Sequence, residues 1–174
     1  MKLTNWLRFV WDVRTFEAPK PDLPAHYVVR RAARSEEEVV RKAIFSAFSL
    51  DSDWSDSLNR MWPVLNESIE TCFKAKEPTC LVLTHGTRII GASLLSTDPE
   101  AAYQVVSGPC ILVEYRNRGL GTVMLAASLS FLREAGLETA CGITKKSIPA
   151  AKFVYHKFGG RGEACENESE LATL

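Results

Sequence analysis

The spacing of apolar and polar positions changes along the chain, and each change delimits an element. Near the start, Leu3, Trp6, Leu7 and Val10 recur at helical spacing, with Lys2, Asn5, Arg8 and Asp12 between them, which predicts a short amphipathic helix. Ala18 to Ala25 holds three prolines in eight residues and reads as an extended linker. Residues 1–25 thus read as an N-terminal amphipathic arm with its Pro-rich linker, and residues 26–174 as the domain proper. The arm is expected to fold over the domain or to dock onto a partner subunit, and to be dispensable for ligand binding. A place on a membrane surface is the least favoured use, because four charges stand beside few apolar residues.

Within the domain, His26–Ala32 reads as a strand, and Ser35-Glu-Glu-Glu38 as a capping box opening a helix to about Phe48. Leu50–Ser57 is polar, with Asp51, Asp53 and Asp56, and a second helical stretch then reaches about Lys76, with Pro63 early in it or at a kink. Thr79–Thr84 and Arg88–Ser96 read as strands joined at His85-Gly86, and Asp98-Pro99 marks a second turn. Gln104–Val113 is the next strand, where Gly108-Pro109 must interrupt the ladder or force a bulge. Gly119–Glu134 is helical and apolar on nearly every side, with Gly136 as its stop. Glu138–Thr144 reads as a strand, and Ile148–Lys157 as a short helix with Pro149 in its first turn, closed by Gly159-Gly160. The strand–helix–strand unit from Gln104 to Thr144 places two parallel strands side by side through a right-handed crossover.

Composition narrows the partners. At 174 residues and 46% hydrophobic content the chain suits one domain with a substantial core. Lys+Arg and Asp+Glu each total 21, so no basic surplus asks for nucleic acid. The five cysteines, at 72, 80, 110, 141 and 165, form no metal knuckle or redox pair, the three histidines are scattered, and no metal site is expected. Most of the cysteines lie in apolar runs, where a thiol behaves as a small hydrophobe, and this points to reduced thiols in the cytoplasm. No apolar run is long enough to span a bilayer, and charges interrupt the only signal-peptide candidate, Met1–Phe16.

The stretch Ile111-Leu-Val-Glu-Tyr-Arg-Asn-Arg-Gly-Leu-Gly-Thr122 carries chemistry. A strand ends, a basic loop follows, and a helix begins at once. The first amides of a helix lack intrahelical partners and sit at the positive end of its dipole. Gly119 and Gly121 admit a phosphate close to the main chain, Arg116 and Arg118 add cationic donors, and Thr122 adds a hydroxyl, so a diphosphate is the natural guest. Neither the Lys-Ser/Thr ending of a P-loop nor the three glycines of a dinucleotide fingerprint is present.

Arg116-x-x-Gly119-x-Gly121 resembles the Arg/Gln-x-x-Gly-x-Gly/Ala motif of the GNAT superfamily of N-acetyltransferases. The likeness takes in the preceding strand, the long apolar helix, the strand Glu138–Thr144, and the segment Ser147–Gly159, where a Tyr stands shortly before Phe-Gly. It implies an α/β (α+β) fold: a mixed, mostly antiparallel central sheet with helices on both faces and a splayed parallel strand pair. It implies acetyl-coenzyme A as co-substrate. The pantetheine arm would lie along Ile111, Leu112 and Val113, and the pyrophosphate on Arg116, Asn117, Arg118, Gly119, Leu120, Gly121 and Thr122, with Ser147 as a further contact. Tyr155 would be the general acid protonating the departing thiolate. The acceptor implied is a primary amine of a small molecule, peptide or protein. A non-catalytic acyl-coenzyme A binding module, a sensor or subunit, is the alternative.

Three departures from the family pattern stand out. Ser147 replaces the usual Asn, and no acid lies between Gln104 and Val113, with Glu114 just beyond the strand end. Only fourteen residues follow Gly160, where the family needs one or two more strands. Gly162–Cys165 supplies a short one, and a partner subunit, as in a homodimer, can supply the rest. The acids of Leu50–Ser57 either attract a cationic amine or belong to a solvated inter-helix loop.

Overall fold

The computed structural model describes residues 6–20 and 22–165. The first element is a strand, not a helix. β1 (Trp6–Asp12) pairs antiparallel with β6 (Thr139–Lys145) along its whole length and with β7 (Arg161–Ala164) on its other edge. Its buried residues follow a period of two: Phe9, Trp11 and, just beyond, Val13 are fully inaccessible. Helical spacing over Leu3–Val10 selected the wrong stripe, because it passed over Phe9 and Trp11; Leu3 itself lies outside the described residues. The arm is also not separate from the domain. Val13 N–H bonds to the Glu138 carbonyl at 3.0 Å, and buried Phe16 meets Phe158 edge-on at 5.1 Å.

A second sheet has the order β2 (Tyr27–Arg31), β3 (Cys80–His85), β4 (Arg88–Leu94), β5 (Cys110–Ile111), all antiparallel. The two-residue turn between β3 and β4 is Gly86-Thr87, one residue later than expected, since His85 pairs with Arg88. α1 (Glu37–Ser49) follows a 3₁₀ turn at Arg34–Glu36. The cap lies two residues earlier than the sequence reading placed it. Glu36 accepts the Ala33 N–H at 2.8 Å, and Ala33 has no side-chain acceptor to return the bond. α2 (Ser55–Lys74) turns Ser57, Met61, Leu65, Ile69 and Phe73 inward at four-residue intervals and carries Pro63 in its interior. α3 (Leu120–Glu134) packs on β3, β4 and β5, where Ser128 donates to Ser93 Oγ at 2.9 Å, and it ends at Gly136 with φ 92°.

The two sheets meet at one parallel bridge, Val105 to Gly142, beside which Gln104 and Val105 N–H both reach the Cys141 carbonyl. Beyond it the strands part. Val106 and Ser107 N–H both turn to the Leu94 carbonyl, Gly108 takes φ 67°, and Pro109 has no N–H. The parallel pair is thus splayed from its first contact onward. β1 stands between β6 and β7 in this sheet, and β7 is the short strand expected near Gly162. No helix of the described residues is long and apolar enough to cross a membrane.

Candidate functional site

The splay opens a cavity of about 440 Å³. Val106, Ser107, Pro109, Cys110 and Ile111 line one wall, with Ile143 and Thr144 opposite. At one end are Arg116, Asn117, Gly119, Leu120, Gly121 and Thr122, and Tyr155 lies along it. Eight of the twelve residues picked from sequence therefore share one space. Leu112, Val113, Arg118 and Ser147 do not line it; Ser147 sits exposed in the turn after β6.

The loop before α3 is built for close approach. Asn117 and Gly119 take φ 61° and 75°, and Gly119 is the N-cap of α3. The Val123 N–H is the one that returns to the Gly119 carbonyl, at 3.3 Å, which leaves the amides of the first turn without intrahelical acceptors. A Cβ at Gly119 or Gly121 would meet nothing within 4 Å, so open space faces those amides. A phosphate fits that cradle.

Both arginines of the loop are engaged by the protein itself. Arg116 donates to the Ile111 carbonyl at 3.0 Å, the Ala47 carbonyl at 2.6 Å and the Asp51 carboxylate at 2.7 Å. It ties the loop to the end of α1 with three of its five N–H donors. Arg118 lies over the Tyr115 ring and donates to the Glu114 carbonyl at 3.1 Å. A further cation beside the loop is Lys157, whose Nζ is 3.5 Å from Thr122 Oγ1 and which also lines the cavity. Its position two residues past Tyr155 was the available signal.

The segment carrying Tyr155 is not one helix. α4 (Pro149–Phe153) is a single short turn, and a 3₁₀ turn follows at Lys157–Gly159 with Phe158 at φ 60°. The Val154 and Tyr155 N–H groups both bond to the Ala150 carbonyl. This widened turn sends Ala151 and Tyr155 inward and leaves Val154 and Phe158 partly exposed. The Tyr155 ring packs edge-on against Phe9 at 5.4 Å and Trp11 at 5.6 Å, so β1 sets its position. Its hydroxyl occupies the space where a Cβ on Gly108 would stand. Gly108 is required there for room as well as for its positive φ.

Burial holds the Tyr155 hydroxyl protonated well above the ordinary phenol range, with nearby Cys110 adding to the effect. Burial likewise pushes the Cys110 thiol up to about 12 from 9.0, and raises that of Cys80. These native forms hold their protons where unfolded thiols release them. Stability from this source is complete below pH 9 and is lost as pH rises toward about 12. The urea midpoint is therefore expected to be lower at pH 10.5 than at pH 8, and Cys110→Ala to flatten that decline. Equal midpoints at the two pH values would show that these groups do not govern alkaline stability.

The acidic loop is largely neutralised. Asp51 pairs with Arg116, and Lys145, only 8% exposed, reaches the Asp53 carbonyl at 2.6 Å and the Asp56 carboxylate at 3.4 Å. Glu114 lies outside the cavity and pairs with Arg88 at 2.9 Å, as a solvent-facing residue would. No group of three or more potential metal ligands occurs among the described residues.

A family model described as Acetyltransferase (GNAT) family matches residues 41–159. No curated sequence matches the chain. Among solved structures, a GCN5-related N-acetyltransferase from Sphaerobacter thermophilus superposes with TM-score 0.65 at 14% identity, covering 91% of this chain and 48% of that one. A Drosophila protein gives TM-score 0.62 at 16% identity, with coverage of 91% and 48%. A glucosamine N-acetyltransferase region of a fungal multi-domain β-N-acetylglucosaminidase gives TM-score 0.60 at 15% identity, with coverage of 91% and 20%. At such identities the likeness is one of fold. This chain spans about half the length of the first two and less of the third.

Proposed function

Because the chain belongs to the GNAT acetyltransferase family, we propose that it transfers the acetyl group of acetyl-coenzyme A to a primary amine by direct attack. The observation carrying this reading is the continuity of one cavity from the amides of Gly119–Thr122 to Tyr155. The first turn of α3 and Lys157 would hold the diphosphate, and the open edge of β5 the pantetheine amides. Acetyl-coenzyme A supplies the acyl group as a thioester. Leu112 N–H bonds to the Ile90 carbonyl, so by strand alternation the Ile111 N–H is directed away from β4, toward the gap. That donor can hold the acyl oxygen as charge develops on it. Tyr155 lines the cavity and can deliver its proton to the sulfur, being restored through solvent by the proton that the attacking amine loses. Core thiols that behave as small hydrophobes suit a reducing compartment, and a cytoplasmic location is part of the same reading.

One observation favours the second reading, a non-catalytic acyl-coenzyme A binding module. Asp51 and Asp53 are the acids lining the cavity, and Asp51 is held by Arg116. Kinetics separate the two. Tyr155→Phe is expected to lower kcat by roughly 10²-fold, in the range for one general acid, with coenzyme A affinity little changed. An unaltered kcat would reduce Tyr155 to a packing residue. A parent chain that binds acetyl-coenzyme A but transfers to no amine would establish the binding-module reading.

A further inference from the structure

Part of the cavity wall is aromatic and apolar, formed by Trp6, Phe48, Trp54, Met61 and Leu65. Two regions far apart in sequence build this wall: β1, and the end of α1 with the loop and α2 that follow it. Trp6 and Trp54 lie 5.7 Å apart, and Phe48 meets Trp54 edge-on at 5.0 Å. Lys145 braces the wall from behind, its Nζ 5.2 Å from the Trp54 ring and 5.8 Å from that of Trp6. The rings are thus held by neighbours on two sides, and they present an apolar surface beside the place where acyl transfer would occur.

Charge along this wall is sparse. Asp51 is matched by Arg116 and Asp56 by Lys145, and Asp56 does not line the cavity. Asp53 lines the cavity and is exposed, and its carboxylate forms no ion pair or hydrogen bond among the described residues; its main chain is engaged, through its N–H to Asp51 and its carbonyl to Lys145. One unmatched carboxylate beside an aromatic wall suits a ligand with one cation and an apolar body. A polyamine or aminoglycoside carries several separated cations and would find a single partner. An acyl chain would make no use of the carboxylate.

Resting on the acetyl-transfer reading above, we propose that the acceptor is an amphipathic monoamine, its aromatic or branched apolar body seated against Trp6, Phe48 and Trp54 and its ammonium drawn to Asp53. The Asp53 carboxylate concentrates the cation at the mouth, and the rings select what it is attached to. Even small apolar groups discriminate strongly in such a pocket, about 10-fold or more for each methylene.

The test uses the unmodified chain and acetyl-coenzyme A with tryptamine, phenethylamine and isoamylamine against spermidine and kanamycin. The arylalkyl and branched monoamines are expected to show kcat/KM about 100-fold above the polycations. Asp53→Asn is expected to raise KM for tryptamine about tenfold, and Trp6→Gln, on a partly exposed residue, to lower its kcat/KM about tenfold, both with unchanged coenzyme A affinity by calorimetry. Preference for spermidine or kanamycin would overturn the proposal, as would an unchanged tryptamine KM in Asp53→Asn. So would a preference for octanoyl- over acetyl-coenzyme A that Trp6→Gln abolishes, since the wall would then hold the acyl chain. Failure of the parent to bind coenzyme A would instead remove the acetyl-transfer reading itself, which keeps the two failures distinct.

Discussion

Deletion of residues 1–13 is expected to abolish cooperative folding. The strand it removes stands between β6 and β7, so both would lose a pairing edge at once. Seven residue pairs join β1 to β6 and four join it to β7, and β7 has no other partner strand among the described residues. Phe9, Trp11 and Val13 are fully buried, and two of them hold the Tyr155 ring. A milder probe is Trp11→Ala, which is expected to cost about 3–5 kcal/mol, as large-to-small changes of a buried aromatic do. That is a large part of the roughly 5–15 kcal/mol that holds a typical domain together. Urea unfolding followed by circular dichroism checks both. The proposed role of β1 fails if the shortened chain unfolds cooperatively at the parent midpoint and still binds coenzyme A, which is how a dispensable arm would behave.

The largest functional effect is expected at Gly121. Gly121→Glu should leave the fold intact, because a Cβ there meets nothing within 4 Å and an acid in the first turn of a helix is favourable to it. The new side chain enters the space in front of the α3 amides and brings a charge of the same sign as a phosphate. At a separation of about 5 Å and an effective dielectric near 20, the repulsion is about 3 kcal/mol per charge pair, or roughly 100-fold in affinity before steric exclusion is added. Calorimetry should show coenzyme A binding lost while the urea midpoint stays at the parent value. Comparison with pantetheine, which lacks the diphosphate, sharpens the test. Equal affinity of the parent for coenzyme A and pantetheine would show that the cradle does not hold phosphate.

Much of the site was legible because its chemistry is local. Gly119, Gly121 and the strand-to-helix switch lie within a dozen residues of one another, and backbone amides at a helix start behave alike wherever the helix sits. The break at Gly108-Pro109 was equally readable, since positive φ and a missing N–H are properties of those two residues. The carbonyl and carboxylate partners of Arg116 were not readable, because a guanidinium serves a phosphate or a carbonyl equally well. The Ala47 carbonyl and Asp51 that claim it are more than sixty residues away.

β1 shows the other boundary of sequence reading. Leu7, Phe9, Trp11 and Val13 alternate with Arg8, Val10 and Asp12, so a period of two was present, but Leu3, Trp6, Leu7 and Val10 also satisfied a helical one. Over so few residues both periods fit, and the choice fell to partners at 139–145 and 161–164. The same long-range pairing put Trp6 beside Trp54 and Phe9 beneath Tyr155. The sequence alone thus determined the family, the glycine-bearing loop that opens α3 and the order of elements from β2 onward, because their signals lie within short stretches of chain. Tertiary structure decided what stands around the reactive end of the cavity, because those walls come from segments that only sheet pairing brings together.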